Sequence, residues 1–412
     1  MRGFLMALAL VAVLGAGAQA PAAQADSKPQ AEPLFPVALT HRFPEAGATF
    51  EEVRKLILES YYSDEITEEA LYWAAIQGML RHISPPENEH LARIWTPEEY
   101  RKVLEGLQGT QVSIGIKSSF NSQEGSLTVN EVLPGSPAES ALLPRDRILR
   151  INAQPLKGRT VGEINALLEG EDGTEVALTV NRDIEVFTAT LLRRRFATEN
   201  LIAHRMADAT ALLEIRSFTA GISDRFKAEL AKLQEQGVKK LVIDLRNNQG
   251  GVFVEPLKML EACLPEKSIL LRTAQRDAKN QNYVSTNAKP GAFEMAVLVN
   301  GKTASSAEIL AGSLRDHQKA FIVGAKTYGK GIFEKTFTLK NDYRVKFITG
   351  VMYTPRGYAW QGKGLLPDFL VEQDEKTIES LLKLDVAERL KKDAALITAV
   401  RLLRLRDDRS DP

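Results

Sequence analysis

Two stretches of the chain carry residue types that could do chemistry. Asn300-Gly301-Lys302-Thr303-Ala304-Ser305-Ser306-Ala307-Glu308 follows an apolar run that ends at Val299. A serine there, at the start of a helix, has free N–H donors and the positive end of a helix dipole beside it, which suits an oxyanion. Arg246-Asn247-Asn248-Gln249-Gly250-Gly251 follows a second apolar run, Leu241–Leu245. A Gly-Gly pair ahead of a helix lets backbone N–H groups point into a site with no side chain in the way. Ser305-x-x-Glu308 also fits a capping box, and Lys330 in Tyr328-Gly329-Lys330-Gly331 also fits a solvated turn. These patterns alone leave both readings open.

A histidine triad is not expected. His41, His82 and His90 fall in the N-terminal part, His204 precedes the first core strand, and His317 ends the helix that Ser305 begins. A serine hydrolase here needs another base. A lysine serves when burial makes its charged form costly, and the glycines flanking Lys330 would let its backbone pack closely.

The elements that must position these groups follow from periodicity. Residues from about Phe50 to Gly106 read as helical, broken at Pro85-Pro86 and restarted at Thr96-Pro97-Glu98-Glu99. From 110 to 195 short strands take over (112–116, 126–132, 147–151 and 176–180), with short helices near 137–142 and 161–168. Beyond Ala211 apolar strands alternate with helices: 212–215, a helix capped by Ser223 and stopped at Gly237, then 241–245, 253–264, 296–299, 306–317 and 321–323. Continuous apolar strands between helices predict a mostly parallel sheet covered on both faces. Helical pattern returns after Asp374.

Lys plus Arg and Asp plus Glu each number 53, so net charge gives no general attraction to nucleic acid or an acidic membrane. The first residues read as an export signal: Arg2, the eleven-residue apolar run 4–14, then small residues with cleavage expected after Ala25. That run is shorter than the roughly 20 residues of a membrane span, and no cysteine near the site offers a lipid anchor. The single cysteine, Cys263, permits no internal disulfide and reads as a buried structural thiol.

Four blocks then occur in order: LVIDLRNNQGG, VLVNGKTASSAEILAGSLRDH, VGAKTYGKG and YTPRGYAWQGKGLLPD. They resemble the carboxyl-terminal processing (tail-specific) proteases, peptidase family S41, in which the 25-residue interval from serine to lysine recurs. The resemblance implies a serine endopeptidase with a Ser305–Lys330 dyad and backbone N–H groups of Gly251 and Ser306 as oxyanion hole. It implies a multidomain α+β chain: a crotonase-like (ClpP-like) α/β protease core, a PDZ domain, and helical N- and C-terminal segments. The expected division is signal peptide 1–25, flexible leader 26–49, helical segment 50–109, PDZ domain 110–195, protease core 196–373 and C-terminal helical segment 374–412. In the PDZ segment Ser113-Ile114-Gly115-Ile116 would bind a terminal carboxylate, with Ile164 and Leu168 walling an apolar pocket. Substrates would be proteins or peptides with apolar C-termini, cut near or upstream of the tail in the bacterial periplasm. The end segments resemble those used for homo-oligomer formation and for docking lipoprotein adaptors. No cofactor, metal or nucleic acid is implied.

The sequence departs from the family pattern in three places. Glu334 stands four residues after Lys330 where glutamine is common; an ionised carboxylate touching Lys330 would favour the ammonium form and oppose base chemistry. Residues four apart on an ideal strand are roughly 13 Å from each other, so such contact needs a bend. The PDZ turn common as Ala-Gly-Leu-x-x-Gly-Asp is here Ala141-Leu142-Leu143-Pro144-Arg145-Asp146, which predicts another turn geometry with Pro144 fixing it. Glu169 replaces a frequent arginine.

Overall fold

The computed structural model describes residues 42–84, 91–133, 135–197, 199–276 and 280–407. The expected signal peptide and most of the leader lie outside them. Helices α1 (Ala46–Ser60) and α2 (Glu68–His82) lead into a strand, β1 (Arg93–Trp95), and helix α3 (Pro97–Leu107). Thr96 caps α3, with Glu99 closing the reciprocal capping bond and Pro97 in the first turn. The strand β1 corrects the all-helical reading of this region. Ile94 and Trp95 are buried because β1 extends a sheet of the core.

Next comes a small β-domain of β2 (Thr110–Ser113), β3 (Ile116–Asn121), β4 (Ser126–Val132), β5 (Arg147–Ile151), β6 (Gln154–Pro155), α4 (Val161–Leu168), β7 (Glu175–Arg182), β8 (Glu185–Leu192) and β9 (Arg194–Ala197). Alternate residues of its strands, such as Val176, Leu178 and Val180, turn inward onto Ile148, Ile151 and Ile164. At the turn before β5, Arg145 adopts φ 80°, a left-handed conformation held although no glycine is present. Asp146 secures that turn by accepting from Leu143 N–H at 2.8 Å and from Arg182.

The core follows as β10 (Leu201–Arg205), β11 (Thr210–Ile215), α5 (Ile222–Glu235), β12 (Lys240–Asp244), α6 (Val254–Cys263), β13 (Ile269–Gln275), β14 (Gln281–Val284), β15 (Glu294–Val299), α7 (Ser306–Asp316), β16 (Ala320–Gly324), β17 (Ile332–Thr338), β18 (Arg344–Tyr353) and β19 (Phe369–Leu370). Helices α8 (Glu375–Leu381), α9 (Val386–Lys392) and α10 (Ala394–Asp407) end the described chain. One sheet has the order β10-β11-β12-β15-β16-β19, parallel except for the antiparallel edge strand β10. Its strands read as unbroken apolar runs because both faces are covered. Leu213, Ile243 and Val297 face α5, α6 and α7, while Leu212, Val242 and Leu298 face α10. Helix α5 starts at Ile222 after an N-cap at Gly221, not at a Ser223 cap; Ser223 lies inside the helix, fully buried, its N–H given to Glu255.

A second, antiparallel sheet of order β1-β18-β13-β14, with β17 on β18, was not expected from sequence. It carries the segment just after Lys330. No helix among the described residues is long and apolar enough to cross a membrane.

Candidate active site

The loops after β12 and β15 are laced together at the carboxyl ends of their strands. Asn247 N–H donates to Asn300 Oδ1 at 3.0 Å, and Asn300 Nδ2 returns a bond to Asn247 Oδ1 at 2.7 Å. Thr303 Oγ1 donates to the Leu245 carbonyl at 2.9 Å, and Ala304 N–H to the Asn248 carbonyl at 2.9 Å. Asn248, fully buried, spans from the Ile215 carbonyl to Gly250 N–H. This lacing sets the two glycines beside Ser305. A Cβ on Gly250, at φ 98°, would stand 2.9 Å from Ser305 Cβ and 3.0 Å from Ser306 N. Gly251 lies so close to Phe218 that any Cβ would run into its carbonyl. Both positions therefore require glycine.

Ser305 itself sits at φ 55°, ψ −117°, a strained conformation for a side-chain-bearing residue that costs about 1–3 kcal/mol. Among the described residues no acceptor takes the N–H of Gly251 or of Ser306, and Ser306 Oγ donates to the Gly251 carbonyl at 3.2 Å. Two free N–H groups and a half-buried serine hydroxyl at the α7 N-terminus thus share one spot.

Glu308 binds this assembly to the Lys330 loop, a role beyond the capping box read from sequence. Its Oε2 accepts from Ser305 N–H and Lys330 N–H, each at 2.9 Å. Its Oε1 accepts from Gly329 N–H at 2.8 Å and Thr327 Oγ1 at 2.5 Å. Burial pushes the Glu308 carboxyl above its ordinary range, with the Thr327 hydroxyl and the three N–H donors pulling the other way. The loop is closed from outside by Gln361, whose Oε1 accepts Gly331 N–H at 2.8 Å.

The Lys330 ammonium does not hydrogen-bond to Ser305 among the described residues. Nζ instead donates to Glu334 Oε1 at 2.9 Å, the contact that an ideal strand forbids. A register irregularity between Phe333 and Glu334 supplies the bend. The histidines stand elsewhere: His204 lies 3.5 Å from Glu214 and His317 bonds the Ile269 carbonyl, while His41 and His90 fall outside the described residues.

Beside the Gly250-Gly251 loop runs a buried ion network that sequence reasoning missed. Arg246 makes paired contacts to Asp244 and to Asp393, and Arg389 joins Asp244 at 2.6 Å and Glu214 at 2.5 Å. It ties the start of Arg246-Asn247-Asn248 to α9. Burial pushes the Asp244 carboxyl upward, but Arg246 and Arg389 outweigh it and hold Asp244 below its ordinary range.

In the β-domain Ser113, Ile114, Gly115, Ile116 and Leu168 line a groove of about 120 Å³ together with Asn165 and Glu169. Gly115 N–H is already taken by Ser113 Oγ at 3.0 Å. Ile164 is fully buried in the domain core and does not line the groove. Glu169 at the groove's edge pairs with Lys102 of α3 at 2.9 Å.

Comparison with known proteins agrees with this architecture. Residues 209–371 match the model of peptidase family S41, and residues 128–182 match that of a PDZ domain. The PDZ match and the S41 match thus fall on successive, separate segments of the chain. A Staphylococcus aureus protein named as a CtpA-like serine protease is 30% identical over 325 residues, 78% of this chain and 64% of that protein. A Staphylococcus saprophyticus counterpart is 28% identical over 326 residues, 78% and 65% respectively. The chain therefore spans just under two thirds of these relatives. Among solved structures, the photosystem II D1 C-terminal processing protease aligns over 84% of this chain and 99% of its own at a TM-score of 0.51 and 22% identity. A protein of Bacteroides fragilis assigned as an S41 protease aligns over 91% and 100% at 0.56 and 16% identity. These last two likenesses establish the multidomain α+β fold.

Proposed function

We propose that the chain is a serine endopeptidase acting on protein or peptide substrates, with Ser305 as nucleophile and Lys330 as general base. Neutral Lys330 would take the Ser305 proton as the hydroxyl attacks the scissile carbonyl, while the N–H groups of Gly251 and Ser306 hold the oxyanion. Lys330 would then return that proton to the leaving amine, and water would release the acyl group. The observation that carries this reading is the convergence on Ser305: a strained serine, two N–H groups without acceptors among the described residues, and a lysine loop bonded to the same carboxylate, Glu308.

Segment 110–195 would be the PDZ reader of an apolar C-terminal tail, with the carboxylate at Ser113–Ile116 and the last side chain against Leu168. The core would run from 196 to 373, flanked by helical segments 50–109 and 374–412. Exposed Val53, Leu56, Tyr62 and Trp73 on and beside α1 and α2 support self-association or adaptor docking there. The apolar run 4–14 followed by small residues supports export to a periplasm.

Incubating the protein with a substrate bearing an apolar tail tests the reading. Ser305→Ala and Lys330→Ala should each abolish cleavage, and undiminished activity in either removes the assignment. A second reading, a peptide-binding protein whose hydrolase site is idle, is favoured by one observation: Lys330 is bonded to Glu334 and not to Ser305. Labelling of Ser305 by a fluorophosphonate, in the presence of a tail peptide, separates the two.

A further inference from the structure

Glu334 is a single carboxylate shared by two ammonium groups. Its Oε1 accepts from Lys330 Nζ at 2.9 Å and lies 3.5 Å from Lys346 Nζ. The two lysines arrive from different elements. Lys330 precedes β17, and the irregularity at Phe333/Glu334 folds it back. Lys346 comes from β18: Glu334 pairs with Ile348, and Lys346 stands two residues along, on the same face. All three side chains are largely shielded, at 22%, 13% and 23% exposure for Lys330, Glu334 and Lys346.

Lys346 is held by a third element. Its Nζ lies 5.6 Å from the centroid of the Trp95 ring on β1, and Arg93 of β1 stands directly opposite it in the register. The charged groups facing it are Glu334, Lys330 and Arg93. Burial pushes the Lys346 ammonium below its usual value; Glu334 opposes that, and Lys330 and Arg93 add to it. Among the described residues its ion-pair partner is Glu334, the same carboxylate that Lys330 uses.

Lys330 Nζ is bonded to Glu334 and makes no hydrogen bond to Ser305 among the described residues, so the proposed dyad would form by Lys330 leaving Glu334. That would strand a shielded carboxylate without a partner, a costly state, unless a second cation is at hand. We propose that Lys346 is a positioning residue that receives Glu334 as Lys330 turns to Ser305. The Glu334–Lys346 pair then presents Lys330 with a neutral neighbour, as a side-chain amide at 334 would. The proton balance is simple: Lys330 gives its ammonium proton to solvent, takes the one from Ser305 Oγ, and passes that one to the leaving amine.

The proposal rests on Lys330 being the base, and its test separates the two claims. Lys346→Met should lower kcat/KM about tenfold and move the acid limb of its pH profile up by about one unit, because Glu334 is left to Lys330 alone. Lys346→Arg should retain activity. The double variant Glu334→Gln/Lys346→Met should return to within about twofold of Glu334→Gln alone, since an amide needs no counter-cation. A Lys346→Met protein with wild-type rate and profile overturns the proposal, as does a double variant as impaired as Lys346→Met. Circular dichroism checks folding, and Lys346→Gln replaces methionine where the latter does not fold. If Ser305→Ala or Lys330→Ala still cleaves, the dyad itself is wrong; if both are dead while Lys346→Met is unaffected, only the role of Lys346 falls.

Discussion

Replacing Glu308 offers the most direct test of how the site is held. The carboxylate takes four donors, two on each oxygen: Thr327 hydroxyl and Gly329 N–H on Oε1, Ser305 and Lys330 N–H on Oε2. In Glu308→Gln the amide keeps one oxygen. Its lowest-cost setting leaves that oxygen at Oε2 and turns the NH2 toward Thr327, whose hydroxyl can accept as well as donate. Gly329 N–H then loses its acceptor, a penalty of about 1–3 kcal/mol for one buried donor. In Glu308→Ala all four donors are orphaned, and the same reasoning gives about 4–12 kcal/mol, comparable to a domain's whole stability. Catalysis should follow the anchors rather than the stability. The amide still holds Ser305 and Lys330, so kcat should fall by no more than about tenfold. Alanine frees both ends, and displacement of about 1 Å costs about a hundredfold. Urea unfolding and turnover of a tailed peptide measure the two effects. Equal kcat in the Gln and Ala variants, both being folded, would refute the claim that Glu308 couples serine to lysine.

Three other expectations are simpler. Asp244→Asn should destabilise the protein by about 3–5 kcal/mol, because it leaves Arg246 and Arg389 short of a buried partner. Since the folded protein holds Asp244 below its ordinary value of 3.8, its contribution is complete above that pH and is lost as pH falls through the depressed value; an acid-unfolding midpoint unchanged in the variant would contradict this. Cys263, buried and pushed up to about 12 by desolvation, should resist thiol reagents at pH 8 in the native protein and react once unfolded in guanidinium. Leu168→Glu should raise KM for a peptide with an apolar carboxyl terminus while leaving kcat nearly unchanged, whereas Ile164→Glu should unfold the β-domain, because only Leu168 lines the groove.

How much of this was legible in the sequence depended on where the physical signal lay. Four strands of the parallel sheet were readable because burial on both faces demands continuous runs such as Leu241–Ile243, and α4 was readable as a short helical pattern at 161–168. The antiparallel sheet was not. Its strand β18 is half-buried along most of its length, with Arg344, Lys346 and Thr349 among Val345, Phe347 and Ile348, so neither apolar run nor clean alternation marks it. Strand β1 is three residues long and exists only because β18 offers it an edge. Glu308 was legible as a cap, since that signal is local, but three of its four donors come from the Lys330 loop. The ion network joins Arg389 to Glu214 and Arg246 to Asp393 across 175 and 147 residues, and no local pattern announces a pairing of that span.

The two halves of the proposed dyad differ in how firmly they are set. Ser305 is over-determined: its strained backbone is held by Glu308, by the Ala304–Asn248 bond and by Gly250 pressed against its Cβ, with α7 almost wholly buried behind it. Strain persists only where the surroundings leave no alternative, so the Ser305 backbone is fixed by its surroundings. Lys330 has an equally fixed backbone, bonded through its N–H to Glu308 and flanked by Gly331 bonded to Gln361, but its side chain is committed to Glu334. In the proposed dyad the Lys330 side chain must therefore exchange Glu334 for Ser305 while its backbone bonds stay in place. On that proposal the step that arms the site is a charge exchange at Glu334. Anything that shifts β18 or β1, and with them Lys346 and Trp95, then acts on the base while leaving the nucleophile untouched. It follows that perturbing β1, by Trp95→Leu, should lower kcat on tailed substrates while a crystal structure of the variant keeps Ser305 in its φ 55°, ψ −117° conformation and bonded to Glu308. A variant in which both are lost together, with the fold retained, would show that nucleophile and base are set by one element.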